Sequence, residues 1–285
     1  MSVDNLTRNI MEIHKFSFRG KVKGKEGITL LDFLAEVTPL SKSLIKKHAS
    51  NGGIWIKKKG VGPLNRIRRV KTELTSEDYI ECHYDPNLPE VDMSLVKQVY
   101  KTKSWGVWYK PAGVLSQGTK FGDQASIIRH IEKTKPHVYL IQRLDRETSG
   151  LMIIAYRDKV ARIFTNAMKN RLIRKFYQAE VLGTLRTPEG EIDFELEGKS
   201  AKTIYKVHEE LEHSSLVELE IITGRYHQIR QHFEKIKHPV IGDPKYGRHN
   251  KNDDGLKLVA HKLELKDPIS KEDHMFILPE ELRLF

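Results

Sequence analysis

Two short apolar runs, residues 138–141 and 151–155, enclose the polar stretch Gln142-Arg-Leu-Asp-Arg-Glu-Thr-Ser-Gly150. Both runs are dense in Val, Ile and Leu and too short for helices, so they predict buried strands. The connection holds two arginines and two acids and ends on a glycine, which can adopt positive φ. A plain turn between strands does not require so many charged groups beside a core. Asp145 is therefore the first residue to question.

Around this loop the pattern is rich in strands. Val107-Trp-Tyr-Lys-Pro-Ala-Gly reads as a strand running into a turn, and residues 175–182, 204–207 and 216–222 read as further strands. Helical spacing appears over residues 126–132, over 160–168 with Val160, Ile163, Phe164 and Ala167 on one face, and over 225–236 with Ile229, Phe233 and Ile236 as its stripe. Many strands with few helices between them predict an α+β fold, a mixed and largely antiparallel sheet with peripheral helices.

The first quarter of the chain differs in charge. Residues 1–72 contain 16 Lys and Arg against 5 Asp and Glu, while the rest contains 33 of each, so the whole net charge of +11 sits in the first quarter. That asymmetry predicts a polyanion-binding module joined to a neutral domain. Residues 1–25 read as a basic arm, either an extension or one edge strand. Leu30, Leu31, Phe33, Leu34 and Val37 then mark a helix, and Ser41 caps a second one whose Lys42, Lys46 and Lys47 point outward. A strand over residues 54–56 follows, and Asp85-Pro-Asn-Leu-Pro-Glu90 reads as a linker. The expected organisation is an arm (1–25), a small basic α+β domain suited to a polyanion (26–85), a linker (86–94) and a larger neutral domain (95–285).

Several chemistries lack their sequence signals. No HExxH, Walker loop, GxGxxG or GxSxG occurs, and the single cysteine, Cys82, cannot form an intrachain disulfide. No apolar run approaches the ~20 residues that span a bilayer, and no signal-peptide core opens the chain. A cytoplasmic monomer without membrane association is the expectation.

The blocks Gln142-Arg-Leu-Asp-Arg-Glu-Thr-Ser-Gly-Leu, Lys110-Pro-Ala-Gly, Lys175-Phe-Tyr177 and Thr223-Gly-Arg-Tyr-His-Gln-Ile-Arg-Gln-His232 together resemble pseudouridine synthases of the RluA type. His238-Pro-Val-Ile-Gly-Asp-Pro-Lys-Tyr-Gly247 continues the resemblance. Residues 26–84 resemble the small RNA-binding module first seen in a small-subunit ribosomal protein. The chain departs from the family in Gln142, where a His is usual, and Tyr226, where a Thr is usual.

The resemblance implies that Asp145 is the catalytic aspartate and that Arg230 pairs with it, keeping it charged and oriented. It implies that Tyr177 stacks on the target base, a residue that pattern alone reads as an ordinary strand aromatic. Arg143 is implied to enter the RNA helix when the uridine is flipped out, Ile222 to pack against the base, and Lys110 to shape the site. Lys42, Lys46 and Lys47 are implied to meet RNA phosphates. Uridine isomerisation involves no redox change, so neither metal nor other cofactor is expected. The partner is RNA, with large-subunit ribosomal RNA favoured over transfer RNA. The competing reading is a non-catalytic RNA-binding or ribosome-assembly protein, which gives no reason to keep Asp145, Tyr177 and Arg230 together.

Overall fold

The computed structural model describes residues 13–247, 250 and 252–285, and these divide into two units. One takes the described residues up to Glu90 together with Gly118–Ala125; the other takes Val91–Gln117 and Ser126–Phe285. The first twelve residues of the expected basic arm lie outside the described residues.

The first unit contains β1 (Phe16–Lys21), α1 (Leu30–Val37), α2 (Lys42–Ser50), β2 (Ile54–Lys57), β3 (Asn65–Arg66) and β4 (Tyr79–Tyr84). The strands form an antiparallel sheet in the order β1-β4-β2-β3. Part of the predicted arm is thus an edge strand. The helices start where oxygen-bearing side chains can satisfy free N–H groups: the Asp32 N–H donates to Thr29, and the Leu44 N–H donates to Ser41. Leu30, Leu34, Ile45, Ala49, Ile54 and Ile80 are fully buried between helices and sheet. Lys46 and Lys47 remain exposed, whereas Lys42 pairs with Asp32 at 2.6 Å. Gly118–Ala125 packs within this unit. The Trp55 indole N–H donates to the Lys120 carbonyl at 2.9 Å, and Arg68 pairs with Asp123 at 2.6 Å. The Arg66 guanidinium lies 4.1 Å from the Trp55 ring centre.

The second unit runs β5 (Lys97–Lys101), β6 (Trp105–Lys110), α3 (Ile127–Glu132), β7 (Tyr139–Leu140), β8 (Ser149–Ala155), α4 (Asp158–Lys169), β9 (Ile173–Leu182), β10 (Glu189–Ile192), β11 (Thr203–Glu210), β12 (Ser214–Ile221), α5 (Gln228–Lys235), β13 (Leu258–Lys266) and β14 (Asp273–Ile277). One sheet has the order β10-β11-β12-β9-β13-β8-β6-β5, with β14 on β13 and β7 on β8. Among the described pairings only β8 with β13 is parallel. This is the mixed, largely antiparallel α+β architecture expected from the sequence.

Strand β8 explains why both sheet faces need a cover. Leu151, Ile153 and Ala155 join a core with Val160 and Phe164 of α4, while Met152 and Ile154 join another with Ile127, Ile131, Ile229 and Phe233 of α3 and α5. Period-two alternation sends successive side chains to opposite faces, so a strand apolar throughout must be buried twice.

Two predicted boundaries move. The strand expected over 138–141 shortens to β7, and the helix expected from Arg225 begins at Gln228. The Gln228 side chain accounts for the second change. Its oxygen accepts from the Arg225 N–H at 3.1 Å and the Thr223 hydroxyl at 2.6 Å, and its amide nitrogen donates to the Lys202 carbonyl at 2.9 Å. Residues 223–227 are thereby held as a turn, with His227 in the left-handed region (φ 50°, ψ 32°).

Gly150 sits where β8 meets β13, at φ +133°, and a Cβ there would come within 2.6 Å of the Ala260 nitrogen and Cβ. Gly150→Ala is therefore expected to cost about 3 kcal/mol and lower Tm by roughly 6–12 °C. Thermal unfolding followed by circular dichroism checks this, and an unchanged Tm would contradict the close approach.

Candidate active site

The loop between β7 and β8 is fixed from both sides of Asp145. The Ser116 hydroxyl donates to the Leu144 carbonyl at 2.5 Å and accepts from the Leu144 N–H at 3.0 Å. On the other side, the Arg146 carbonyl accepts from the Gly113 N–H at 2.7 Å and from the Lys110 ammonium at 3.3 Å. Lys110 is fully buried, and its ammonium also donates to the Pro111 and Val114 carbonyls at 3.1 and 2.7 Å. Burial pulls its pKa down to about 7, although Asp145 and Glu147 act in the opposite direction. Lys110 therefore lies beneath the loop and is not among the residues that line the adjoining cleft. Its charge is spent on backbone carbonyls, and it positions the Asp145 loop from beneath.

Arg230, on the first turn of α5, is 1% exposed. A guanidinium that far from water needs carboxylates. Its first partner is Asp243, with two parallel bonds at 2.7 and 2.9 Å. Asp243 is itself fully buried, and one of its oxygens also accepts from the N–H groups of Lys245 and Tyr246 at 2.8 and 2.9 Å, a local turn that aims the carboxylate. Burial alone would raise the pKa of Asp243. The bonds from Arg230 and the two backbone N–H groups outweigh it and hold the pKa below the usual carboxylate value.

The remaining guanidinium nitrogen, Nη1, reaches an Asp145 oxygen at 3.3 Å and lies 3.6 Å from Glu147. The predicted pairing of Asp145 with Arg230 is present, but as the weaker of the two attachments. Asp243 stands in His238-Pro-Val-Ile-Gly-Asp-Pro-Lys-Tyr-Gly247, where no local pattern assigns it a partner. An acid followed by Pro-Lys-Tyr signals a turn; which cation it meets depends on the fold.

His227 completes the cluster. Its Nε2 is 3.3 Å from Arg230 Nη1 and 3.7 Å from Asp145, and its Nδ1 is 3.2 Å from the Tyr246 hydroxyl. Burial lowers its pKa; Asp145 opposes that shift, while Arg230 and Lys245 reinforce it. Arg230 can only donate, so a hydrogen bond from it to Nε2 requires the tautomer that carries its proton on Nδ1, towards Tyr246.

Beside this cluster opens a cleft of about 490 Å³ whose lining includes Arg143, Asp145, Lys175, Tyr177, Ile221 and Arg230. Arg143 and Asp145 of one loop meet Tyr177 and Arg230 here, which lie far from them in sequence. Tyr177 is 7% exposed, and burial followed by the Asp145 charge pushes its hydroxyl pKa well above the ordinary value. Arg143 is exposed at the cleft. The cleft is lined by Ile221, and Ile222 is not among its lining residues. Leu219 lies opposite Tyr177 across β12 and β9, so the next residue on that face is Ile221, and Ile222 follows on the other face. Of the two family departures, Gln142 lines the cleft, and Tyr226 stacks on His227 with ring centres 3.7 Å apart. Among the described residues no cluster of metal-ligating side chains occurs. Lys42, Lys46 and Lys47 belong to the first unit and are no part of this site.

The family model described as RNA pseudouridylate synthase matches residues 104–235. A protein of Aquifex aeolicus named as an RNA pseudouridine synthase is 30% identical, over 80% of this chain and 79% of its own length. The ribosomal large subunit pseudouridine synthase C of Vibrio parahaemolyticus is 26% identical, over 74% of each chain. The structure of human RNA pseudouridylate synthase domain containing 1 has the same fold, with a TM-score of 0.58 and 23% identity, over 68% of this chain and 86% of that one.

Asp243 links the stability of the fold to acid. Its folded pKa lies below the unfolded value of about 3.9. Its contribution is therefore complete above pH ~4 and is lost as the pH falls through the folded pKa. Asp243→Asn should destabilise the neutral protein by about 3–5 kcal/mol, because it leaves Arg230 short of a charge. It should also flatten the fall of Tm below about pH 4. An acid limb equally steep in both proteins would sink this assignment.

Proposed function

The chain belongs to the RNA pseudouridine synthase family, and from that premise we propose that it isomerises uridines of large-subunit ribosomal RNA with Asp145 as the catalytic residue. The observation that carries the proposal is the Asp145 carboxylate, held 3.3 Å from the buried Arg230 guanidinium at a cleft also lined by Tyr177. In the isomerisation the bond between N1 and the anomeric carbon breaks and the bond from C5 to that carbon forms. The proton on C5 is released and N1 gains one, so no oxidant is consumed. The group that acts on the nucleotide must be anionic and shielded from water. A carboxylate bonded to a permanently charged guanidinium meets the first condition, and the apolar walls supplied by Leu144, Ile221 and Leu258 meet the second.

Tyr177 supplies an aromatic face for the base, and exposed Arg143 takes the space left in the RNA stack when the uridine leaves it. Flipping costs a few kcal/mol, which contacts inside the cleft offset. The first unit is an RNA-holding module, with Lys46 and Lys47 on its exposed helix face. Two observations support ribosomal RNA as the target: the excess of basic residues before residue 73 and the relative named for the large ribosomal subunit.

Tritium release from RNA labelled at uridine C5 tests the chemistry. Asp145→Asn should abolish release, with RNA affinity changed less than about threefold; normal turnover by that variant would remove Asp145 from the mechanism. Mapping pseudouridine in cells lacking the protein tests the target, and losses confined to transfer RNA would overturn the ribosomal reading. The double variant Lys46→Gln, Lys47→Gln should make the salt dependence of log affinity shallower by roughly 1.4–1.8, since each phosphate contact contributes ~0.7–0.9. An unchanged slope would mean that these lysines do not touch phosphate.

A further inference from the structure

We propose that Lys175 is a phosphate-binding residue of the cleft, its ammonium taking the backbone phosphate beside the target uridine and so positioning that nucleotide. The inference rests on the proposed uridine isomerisation and adds to it a contact not yet assigned.

Strand β9 fixes the geometry. Lys175 and Tyr177 are two residues apart on one strand, so both side chains leave the same face about 7 Å apart, and both line the cleft. The intervening Phe176 faces the other way, under Arg174 and Lys262. On that opposite face Arg174 pairs with Glu220 and Glu264 at 2.8 Å each, and Lys262 pairs with Glu264 at 3.2 Å. Lys175 is half-buried, yet among the described residues its ammonium has neither an ion pair nor a hydrogen bond. Burial alone lowers its pKa, with no acid acting against it.

Keeping an unpaired charge partly out of water is costly, and a protein gains from it only if an anion arrives. Asp145 is not that anion. Its carboxylate pairs with Arg230 and lies beside His227, and it makes no ion pair with Lys175. The ammonium lies instead towards Gly224, where a Cβ would sit 3.9 Å from it, and Gly224 is exposed. Lys175 is therefore at the open side of the cleft, on the wall that also carries Arg225. An incoming RNA strand carries its negative charge on its phosphates, while a uracil carbonyl is neutral and would leave the ammonium uncompensated. Lysine suits the task as a compact point charge on a flexible stem.

The test uses the full chain, with Lys175→Met and Lys175→Arg, and an unmodified large-subunit ribosomal RNA transcript as probe. Filter binding and tritium release are followed across a series of KCl concentrations. Lys175→Met should weaken binding and raise KM about tenfold at low salt, with kcat falling no more than about threefold. The slope of log affinity against log salt should become shallower by about 0.7, the share of one phosphate. Lys175→Arg should restore the slope. The Tm of Lys175→Met should match or exceed that of the wild type, because an unpaired charge has gone.

A fall in kcat with an unchanged salt slope would put Lys175 on the base and overturn the proposal. A lowered Tm with unchanged KM and affinity would make it structural, with the same consequence. A wild-type protein that binds the transcript but releases no tritium would overturn the isomerase reading instead. The salt slope of binding would then still decide for or against the phosphate contact.

Discussion

Everything in the cleft depends on one guanidinium being kept out of water. Arg230 is nearly inaccessible because α5 packs Ile229 and Phe233 into the sheet core, which carries the intervening side chain inward with them. Such a charge cannot be left alone, and Asp243 answers it with two short bonds. Two backbone N–H groups also donate to the Asp243 carboxylate and fix its direction. With two nitrogens engaged, Arg230 has one left for Asp145, and that bond is the longer at 3.3 Å. The structural pair is rigid and fully buried, while Asp145 keeps 23% of its side chain accessible. One cation thus holds two carboxylates, one buried with it and one open to the cleft.

Those parts of the fold that answer to local rules were legible in the sequence. Strand β8 could be read because a strand buried on both faces must be apolar throughout, and α1 and α2 because Thr29 and Ser41 cap them. The proximity of Asp145 and Arg230 was legible through family resemblance and through the need of a core-edge arginine for an acid. Long-range competition was not legible. Nothing local says that Arg230 meets Asp243 first, or that Lys110 finds three backbone carbonyls and never faces the cleft. Ile222 shows how narrow the margin is, since an error of one residue at a strand end exchanges its two faces. The start of α5 failed for a similar reason. Gln228 reads as an ordinary helix residue until its amide is seen to hold residues 223–225 in a turn.

The two units use their positive charge differently. In the second, Arg174 on β9 and Lys262 on β13 are matched to glutamates. In the first, Lys46 and Lys47 stand exposed on α2, while Lys42 and Arg68 are tied to aspartates. Net charge therefore locates a basic region but does not say which of its residues are available to a partner.

Gly118–Ala125 carries a consequence for dissecting the molecule. This segment lies beyond the Pro-containing stretch that looks like a linker, yet it packs with residues before it. The chain passes from one unit to the other after Glu90, after Gln117 and again after Ala125. A fragment ending at Glu90 would lose the Lys120 carbonyl that Trp55 uses and the Asp123 carboxylate that Arg68 uses. The first unit is in this sense discontinuous: its boundary is drawn by three-dimensional packing and crosses the polypeptide three times. A single cut would not release it intact.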